Sequence, residues 1–343
     1  MELNKELLEL TRPYVNRPDQ VQGPGGNTSV KDSGGRMMIK ASGFRFEEIN
    51  ENRGFSLVNN QVIKDFFFHV QPQDKVKEEQ ESVALILDHV LRDEKGDAYP
   101  KPSMETGFHS VLGTYVVHTH SVWTNLVNCC ADNIELISRI RQKTSLRIAN
   151  IPYVSPGFGL SYLIAKEIRN ASENEYPQVF FLENHGIIAH GSGITEVNSI
   201  LCSIDQAIMD IFNLSDTYPG VQLQDLSGQF IPDDPFVNDM IKHYLTGPEF
   251  FEHVLFPDQT VFFKDNIGFG NNSGKKIRVD GEGHISYHAG HREALSMHET
   301  MTAYLFIYHN IVSNNRQLRF IPSAELDYIN AMDMEKHRKS LMD

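Results

Sequence analysis

Apolar residues recur along this chain with two periods, one near 3.6 and one of two, and the switches between them mark out the elements. In MELNKELLEL charges interleave with leucines, which predicts an amphipathic helix rather than a signal peptide. The runs NTSVK and RMMIK alternate with period two and are separated by small turn residues, so they predict a hairpin. Residues 76–93, VKEEQESVALILDHVLRD, place Val, Leu and Ile at helical spacing. In PSMETGFHSVLG a proline precedes Ser103, a candidate N-cap, and Met104, Phe108, Val111 and Leu112 share one helical stripe. A strand at TYVVHT follows, then helices over about 122–142 and 159–172. The apolar strand PQVFFLEN leads into His185 and Gly186, a short run IIAH, and a long helix over about 194–214.

Strands and helices alternate, but several strands are joined by short turns. That combination predicts an α/β fold with a mixed, largely antiparallel sheet covered by helices. Residues 215–235, rich in Pro, Gly, Asp and Ser, read as a linker. Beyond it the pattern predicts a smaller α+β extension: strands near QTVFFK, KKIRV and HISYH, a helix over about 290–312 and a last helical stretch after Pro322. The division expected is therefore 1–218 as the main domain and 219–343 as the extension.

Composition narrows the class of partner. With 45 acidic against 31 basic residues the formal charge is −14, which disfavours nucleic acid or an anionic membrane as partner, since both select a basic face. No apolar run approaches the length of a membrane span. Three cysteines, two of them adjacent, make no disulfide framework and read as reduced residues of a cytoplasmic chain. A small molecule or a protein is the expected partner.

Against that background two histidines stand out at the end of TYVVHTHS. Side chains alternate along a strand, so His118 and His120 point one way and Thr119 the other, a geometry that suits two imidazoles on one metal ion; ordinary polar residues at a strand end are the plainer alternative. His185, after a second apolar strand, can bring a third imidazole to the same sheet edge, and zinc is the expected occupant of such a set, with Mn2+ or Co2+ also compatible. Glu105, in the first turn of the preceding helix, can serve as ligand or general base, or simply favour the positive end of a helix dipole. Glycines followed by Asn27 and Thr28, together with Ser42 and Gly43 in KASG, supply the backbone N–H groups and hydroxyls of an anion cradle, or of plain turns. His109, one helical turn after Glu105, is placed to orient that carboxylate.

The order GGNTSV, KASG, PSMET, VVHTHS, YVSPG, LENHGIIAHG resembles the class II aldolase and adducin family over about residues 1–215, whose zinc-dependent members include the fuculose-phosphate and rhamnulose-phosphate aldolases. The resemblance implies a three-layer aldolase-like fold and a zinc site made of His118, His120 and His185. It implies that Glu105 ligates the empty metal and acts as acid or base with substrate bound. Asn27, Thr28, Ser42, Gly43 and Ser103 then hold a substrate phosphate, and Tyr153 is a proton donor lent by a neighbouring subunit of a homotetramer. The implied reaction is retro-aldol cleavage of a ketose 1-phosphate through a metal-stabilised enediolate; pentulose-phosphate 4-epimerisation, sugar-phosphate dehydration and a non-catalytic adducin-like module are the rivals. One departure is Met104, where the aldolases carry a second hydroxyl beside the catalytic glutamate; methionine cannot donate a hydrogen bond to a phosphate oxygen.

Other patterns fail. His298-Glu299 begins a zinc-protease helix motif, but Thr302 stands where the second histidine belongs. GFGNNSG has Ser273 in place of the third glycine of a dinucleotide loop. His284, His288 and His291 read as surface or subunit-contact residues, and the apolar helix SMHETMTAYLFIYHN as one buried all round.

Overall fold

The computed structural model describes residues 3–172, 175–245, 247–270 and 274–326. Its centre is a seven-stranded sheet in the order β3-β2-β1-β4-β7-β6-β5. The strands are β1 (Asn27–Lys31), β2 (Arg36–Lys40), β3 (Phe55–Asn59), β4 (Tyr115–Thr119), β5 (Ile148–Ile151), β6 (Val179–Leu182) and β7 (Gly186–Gly191). All neighbours are antiparallel except β5 and β6, so the sheet is mixed and largely antiparallel, as the pattern predicts.

Both faces are covered, which explains why the central strands read as unbroken apolar runs rather than as alternations. Val117, Phe181 and Ile187 join one core with helices α1 (Leu3–Thr11), α5 (Val122–Asn128), α6 (Asn133–Thr144) and α8 (Ile194–Phe212). Their strand neighbours Val116, Phe180 and Ile188 join the other, with α2 (Asn60–His69), α3 (Lys75–Asp88), α4 (Thr106–Val111) and α7 (Phe158–Asn170). The result is a three-layer α/β/α fold. Local signals set the helix ends: Asp74 accepts hydrogen bonds from the Val76 and Lys77 amides at the start of α3, and Asn213 closes α8 in the left-handed region.

The extension departs from the sequence pattern in two places. Residues 215–235 are not simply a linker, because β8 (Leu223–Asp225) and β9 (Phe230–Pro232) pair within them. They edge a second sheet, ordered β10-β11-β12-β9-β8, whose other strands are β10 (Ile267–Phe269), β11 (Ile277–Val279) and β12 (Ile285–Tyr287). QTVFFK is not a strand: after α9 (Phe236–Tyr244) the chain forms α10 (Asp258–Phe262), where Pro257 at the N-cap position and Asp258 in the first turn outweigh the β propensity of Thr-Val-Phe-Phe. The long helix α11 (His291–Ser313) is buried along most of its length, with the Phe306 ring 5.3 Å edge-on from Trp123 of α5. One apolar core thus runs from the large sheet into the extension. The helix expected after Pro322 begins at Ser323, and its continuation past Leu326 lies outside the described residues, as do Asn271–Ser273 of GFGNNSG. No helix among the described residues is long and apolar enough to cross a membrane.

Behind the histidine strand, Asp205 of α8 is half-buried and accepts hydrogen bonds from Gln20 Nε2 (2.6 Å) and Ser121 Oγ (3.3 Å). Burial pushes its carboxyl up from an ordinary 3.8 to about 7, the Gln20 and Ser121 bonds only partly opposing and Asp19 reinforcing. The folded state therefore keeps a proton that the unfolded chain gives up, so this stabilisation is complete below the unfolded value and is lost as pH rises through about 7. Asp205→Asn is expected to raise stability near pH 8 by roughly 1–3 kcal/mol and to flatten its decline between about pH 5 and 8. Urea unfolding at the two pH values measures this, and an unchanged slope contradicts it.

Candidate metal centre

Strand register assembles the site. In the ladders His118 of β4 faces Asn27 of β1 on one side and Ile188 of β7 on the other. His120 lies just past the end of β4 on the same face as His118, while Thr119 points to the opposite layer. His185 is not at a strand end but in the three-residue turn between β6 and β7. That turn is made by Asn184 in the left-handed conformation (φ 52°), so Gly186 is not there for backbone freedom. It is there for clearance: a Cβ on Gly186 would sit 2.2 Å from the Thr119 carbonyl oxygen. Glu105 occupies the N-cap position of α4, which starts two residues later than an N-cap at Ser103 would place it.

These elements bring Glu105, His118, His120 and His185 together. The three imidazole centroids are each 5.0 Å apart, and four donor atoms, one from each residue, lie within 4.8 Å of one another. All four side chains are buried. His118 Nδ1 donates to the Ile187 carbonyl oxygen at 2.9 Å, a partner that can only accept, so the neutral ring turns a bare Nε2 inward. That nitrogen is 3.3 Å from Glu105 Oε1 and makes no hydrogen bond to any described residue; His185 Nε2 is 3.6 Å from the same oxygen. Acceptors facing one another in a buried space require a positive charge between them, as a proton or as a cation. In the metal-free site the charges couple: burial alone would raise the Glu105 carboxyl, but the imidazoles, His118 foremost, hold it well below the usual carboxylate range; burial lowers His118 but Glu105 outweighs it and raises that imidazole, while burial and His118 together push His185 down. With a cation in place of the proton, three imidazoles and one carboxylate are donors that fit zinc or a similar divalent ion.

A cleft of about 50 Å3 opens beside this set, room for an ion and a few small ligands. Asn27, Ser42, Gly43, Ser103 and Met104 line it. Asn27 Nδ2 donates to Ser103 Oγ (2.6 Å) and to Glu105 Oε2 (2.8 Å), so Asn27 orients the carboxylate. The role expected of His109 is thereby displaced, since its Nδ1 is engaged 2.7 Å from Ser29 Oγ. Thr28 is not brought to the cleft: strand alternation turns it to the far face, where its hydroxyl meets that of Thr11 at 2.7 Å. Tyr153 lies in the loop after β5, half-buried, and does not line this chain's cleft.

Two residues at the site escaped sequence reasoning. Lys40, the lysine of KASG, lines the cleft with its side chain buried, its Nζ donating to the carbonyl oxygens of Pro24 (2.9 Å) and Phe44 (2.7 Å). Its alternation with Met37 and Ile39 signalled only a strand. Asp258 of the extension accepts a hydrogen bond from His120 Nδ1, a contact spanning 138 positions that no local pattern foretells. His284 and His288 flank a separate cleft on the second sheet, and His291 lines another.

Fold and site together define an α/β protein with a buried donor set of three histidines and one glutamate. The profile of the Class II Aldolase and Adducin N-terminal domain matches residues 5–209, and the chain belongs to that family. The family's aldolases use a divalent metal ion. Over 215 residues the chain is 31% identical to the uncharacterized oxidoreductase YuxG of Bacillus subtilis; the match takes in 59% of this chain but only 29% of that protein. The N-terminal class II aldolase domain of a conserved Thermoplasma acidophilum protein is 21% identical, with a TM-score of 0.49, covering 60% of this chain and 92% of that one. The L-fuculose-1-phosphate aldolase of Thermus thermophilus is 14% identical, with a TM-score of 0.38, covering 62% of this chain and 93% of that one.

Because the β7 start is wedged against the strand that carries two of the histidines, Gly186→Ala is expected to lower stability by about 2 kcal/mol or more, the cost of overpacking. A urea midpoint equal to that of the unsubstituted protein contradicts this close approach.

Proposed function

We propose that this chain is a metal-dependent aldehyde-lyase that cleaves a ketose 1-phosphate by a retro-aldol reaction. The observation that carries the reading is the completeness of the donor set: Glu105 stands with His118, His120 and His185 around one point, each buried. An interaction module has no physical need for four buried titratable groups whose burial is costly unless a cation compensates it. The oxidoreductase name attached to the Bacillus subtilis relative belongs to a protein that the match covers only to 29%, and it brings no activity to this chain.

A zinc ion, or Mn2+ or Co2+, held by the three histidines would polarise the substrate carbonyl and stabilise the negative charge that builds next to it as the bond between carbons 3 and 4 breaks. The chain's own groups do the rest. Glu105, kept ionised by its neighbours and aimed by Asn27, takes or returns the proton at carbon 3. Ser42, Gly43 and Ser103 bind the phosphate, while Asn27, whose two amide hydrogens go to Ser103 and Glu105, holds those groups in place, and the buried Lys40 cation beside them favours an anionic group there. Met104 supplies packing but no donor, so the phosphate is held by one hydroxyl fewer than in the aldolases the sequence resembles. Tyr153 of a neighbouring copy serves the oxygen on carbon 4, which makes the working form a homo-oligomer, a tetramer in our reading, with sites between subunits.

Assay of a panel of ketose 1-phosphates, pentulose 5-phosphates and unphosphorylated ketoses for aldehyde release is expected to single out a ketose 1-phosphate. With that substrate Glu105→Gln should keep the fold and most metal affinity while kcat falls at least about 100-fold, as for loss of a general base. Unchanged turnover in the glutamine variant refutes the assigned role, and no aldehyde from any member of the panel refutes the lyase.

A further inference from the structure

The family profile spans residues 5–209, yet one contact to the donor set comes from beyond them. We propose that Asp258 is a positioning residue for the metal centre, and that the extension is thereby an integral part of the site; this rests on the metal-binding reading of His118, His120 and His185. Asp258 is fully buried at the start of α10, and its Oδ2 takes the Nδ1–H of His120. An imidazole that donates from Nδ1 to a carboxylate keeps its lone pair on Nε2, the nitrogen then left for a metal ion, and becomes a stronger donor. His118 is fixed the same way by a backbone carbonyl, so two ligands share one tautomer through different partners.

The segment bearing Asp258 is itself anchored around the site. The Leu255 carbonyl oxygen accepts from Asn184 Nδ2 (2.9 Å) and Cys129 Sγ (3.4 Å), while the Leu255 amide donates to Gln259 Oε1 (2.7 Å). Asn184 is the residue before His185, and its Nδ2 also reaches the Arg319 carbonyl oxygen (2.8 Å), so the extension grips the turn that carries the third imidazole. Pro257, one residue before Asp258, lines the cleft. A buried carboxylate with a merely structural role would be as well served by an amide or lysine partner. Here its partner is a candidate metal ligand, His120.

The test uses the full chain and needs no substrate. Zinc dissociation constants are measured by competition with a chromophoric chelator for the unsubstituted protein, Asp258→Asn, Asp258→Ala and, as the site control, His185→Ala. Apo melting in EDTA and the visible spectrum of the cobalt-loaded form are recorded beside them. Expected is an affinity about 10–100-fold weaker in Asp258→Ala, an intermediate loss in Asp258→Asn, which keeps an acceptor without its charge, and a changed cobalt spectrum in both, with an Asp258→Asn apo melt close to that of the unsubstituted protein. Zinc binding as tight in Asp258→Ala as in the unsubstituted chain, with the same cobalt spectrum, overturns this inference alone. Failure of the unsubstituted chain to bind zinc or cobalt overturns the metal reading and this inference with it. Imidazole 15N spectra of the unsubstituted zinc-loaded protein give a readout without substitution: a proton on His120 Nδ1 is expected, and a proton on Nε2 overturns the proposal.

Discussion

Three imidazoles and a carboxylate, all buried and with donor atoms within 4.8 Å of one another, set the constraint to which the rest of the molecule answers. Isolated, such groups would cost several kcal/mol each to bury. Their polar atoms are therefore met one by one: a backbone carbonyl for His118, a carboxylate for His120, the Asn27 amide for Glu105. What these partners leave is a set of inward-facing lone pairs and one negative charge, an arrangement that a divalent cation completes.

The fold supplies the rigidity this needs. The donor set gathers at the centre of a seven-stranded sheet, where β4 is flanked on both sides and both faces are covered by helices. Antiparallel register places Asn27 opposite His118, so the residue that aims Glu105 and the residue that faces it are fixed by the same ladder. The close approach of Gly186 to Thr119 presses the His185 turn against the end of the histidine strand. The extension adds a second layer of restraint, because one segment around Leu255 to Asp258 touches both the His120 ring and the residue before His185.

Legibility in the sequence followed interaction range. The histidine pair could be read because strand alternation is a local rule, and the cleft-lining Asn27, Ser42 and Gly43 because glycine, asparagine and serine carry their turn chemistry with them. Ordered motifs resembling a known family then tied distant pieces together. The same local rules failed where two signals competed: Thr-Val-Phe-Phe has strand propensity, but a proline and an aspartate before it start a short helix. Thr28 was grouped with Asn27 by proximity in sequence, although period two sends it to the opposite face. Strands β3 and β5 and helix α2, short and flanked by charged residues, carried too little periodicity to be foreseen. Asp258 could not be found at all by local reading, since its meaning depends on a partner 138 positions away.

The central claim is that His118, His120, His185 and Glu105 form one divalent metal site. X-ray absorption at the zinc edge, on protein loaded with one equivalent of zinc, tests it most directly. Three imidazole ligands with the remaining coordination from oxygen is the predicted result for the unsubstituted chain, falling to two in His185→Ala or to no bound metal. A spectrum dominated by oxygen ligands, or one that His185→Ala leaves unchanged, contradicts the account.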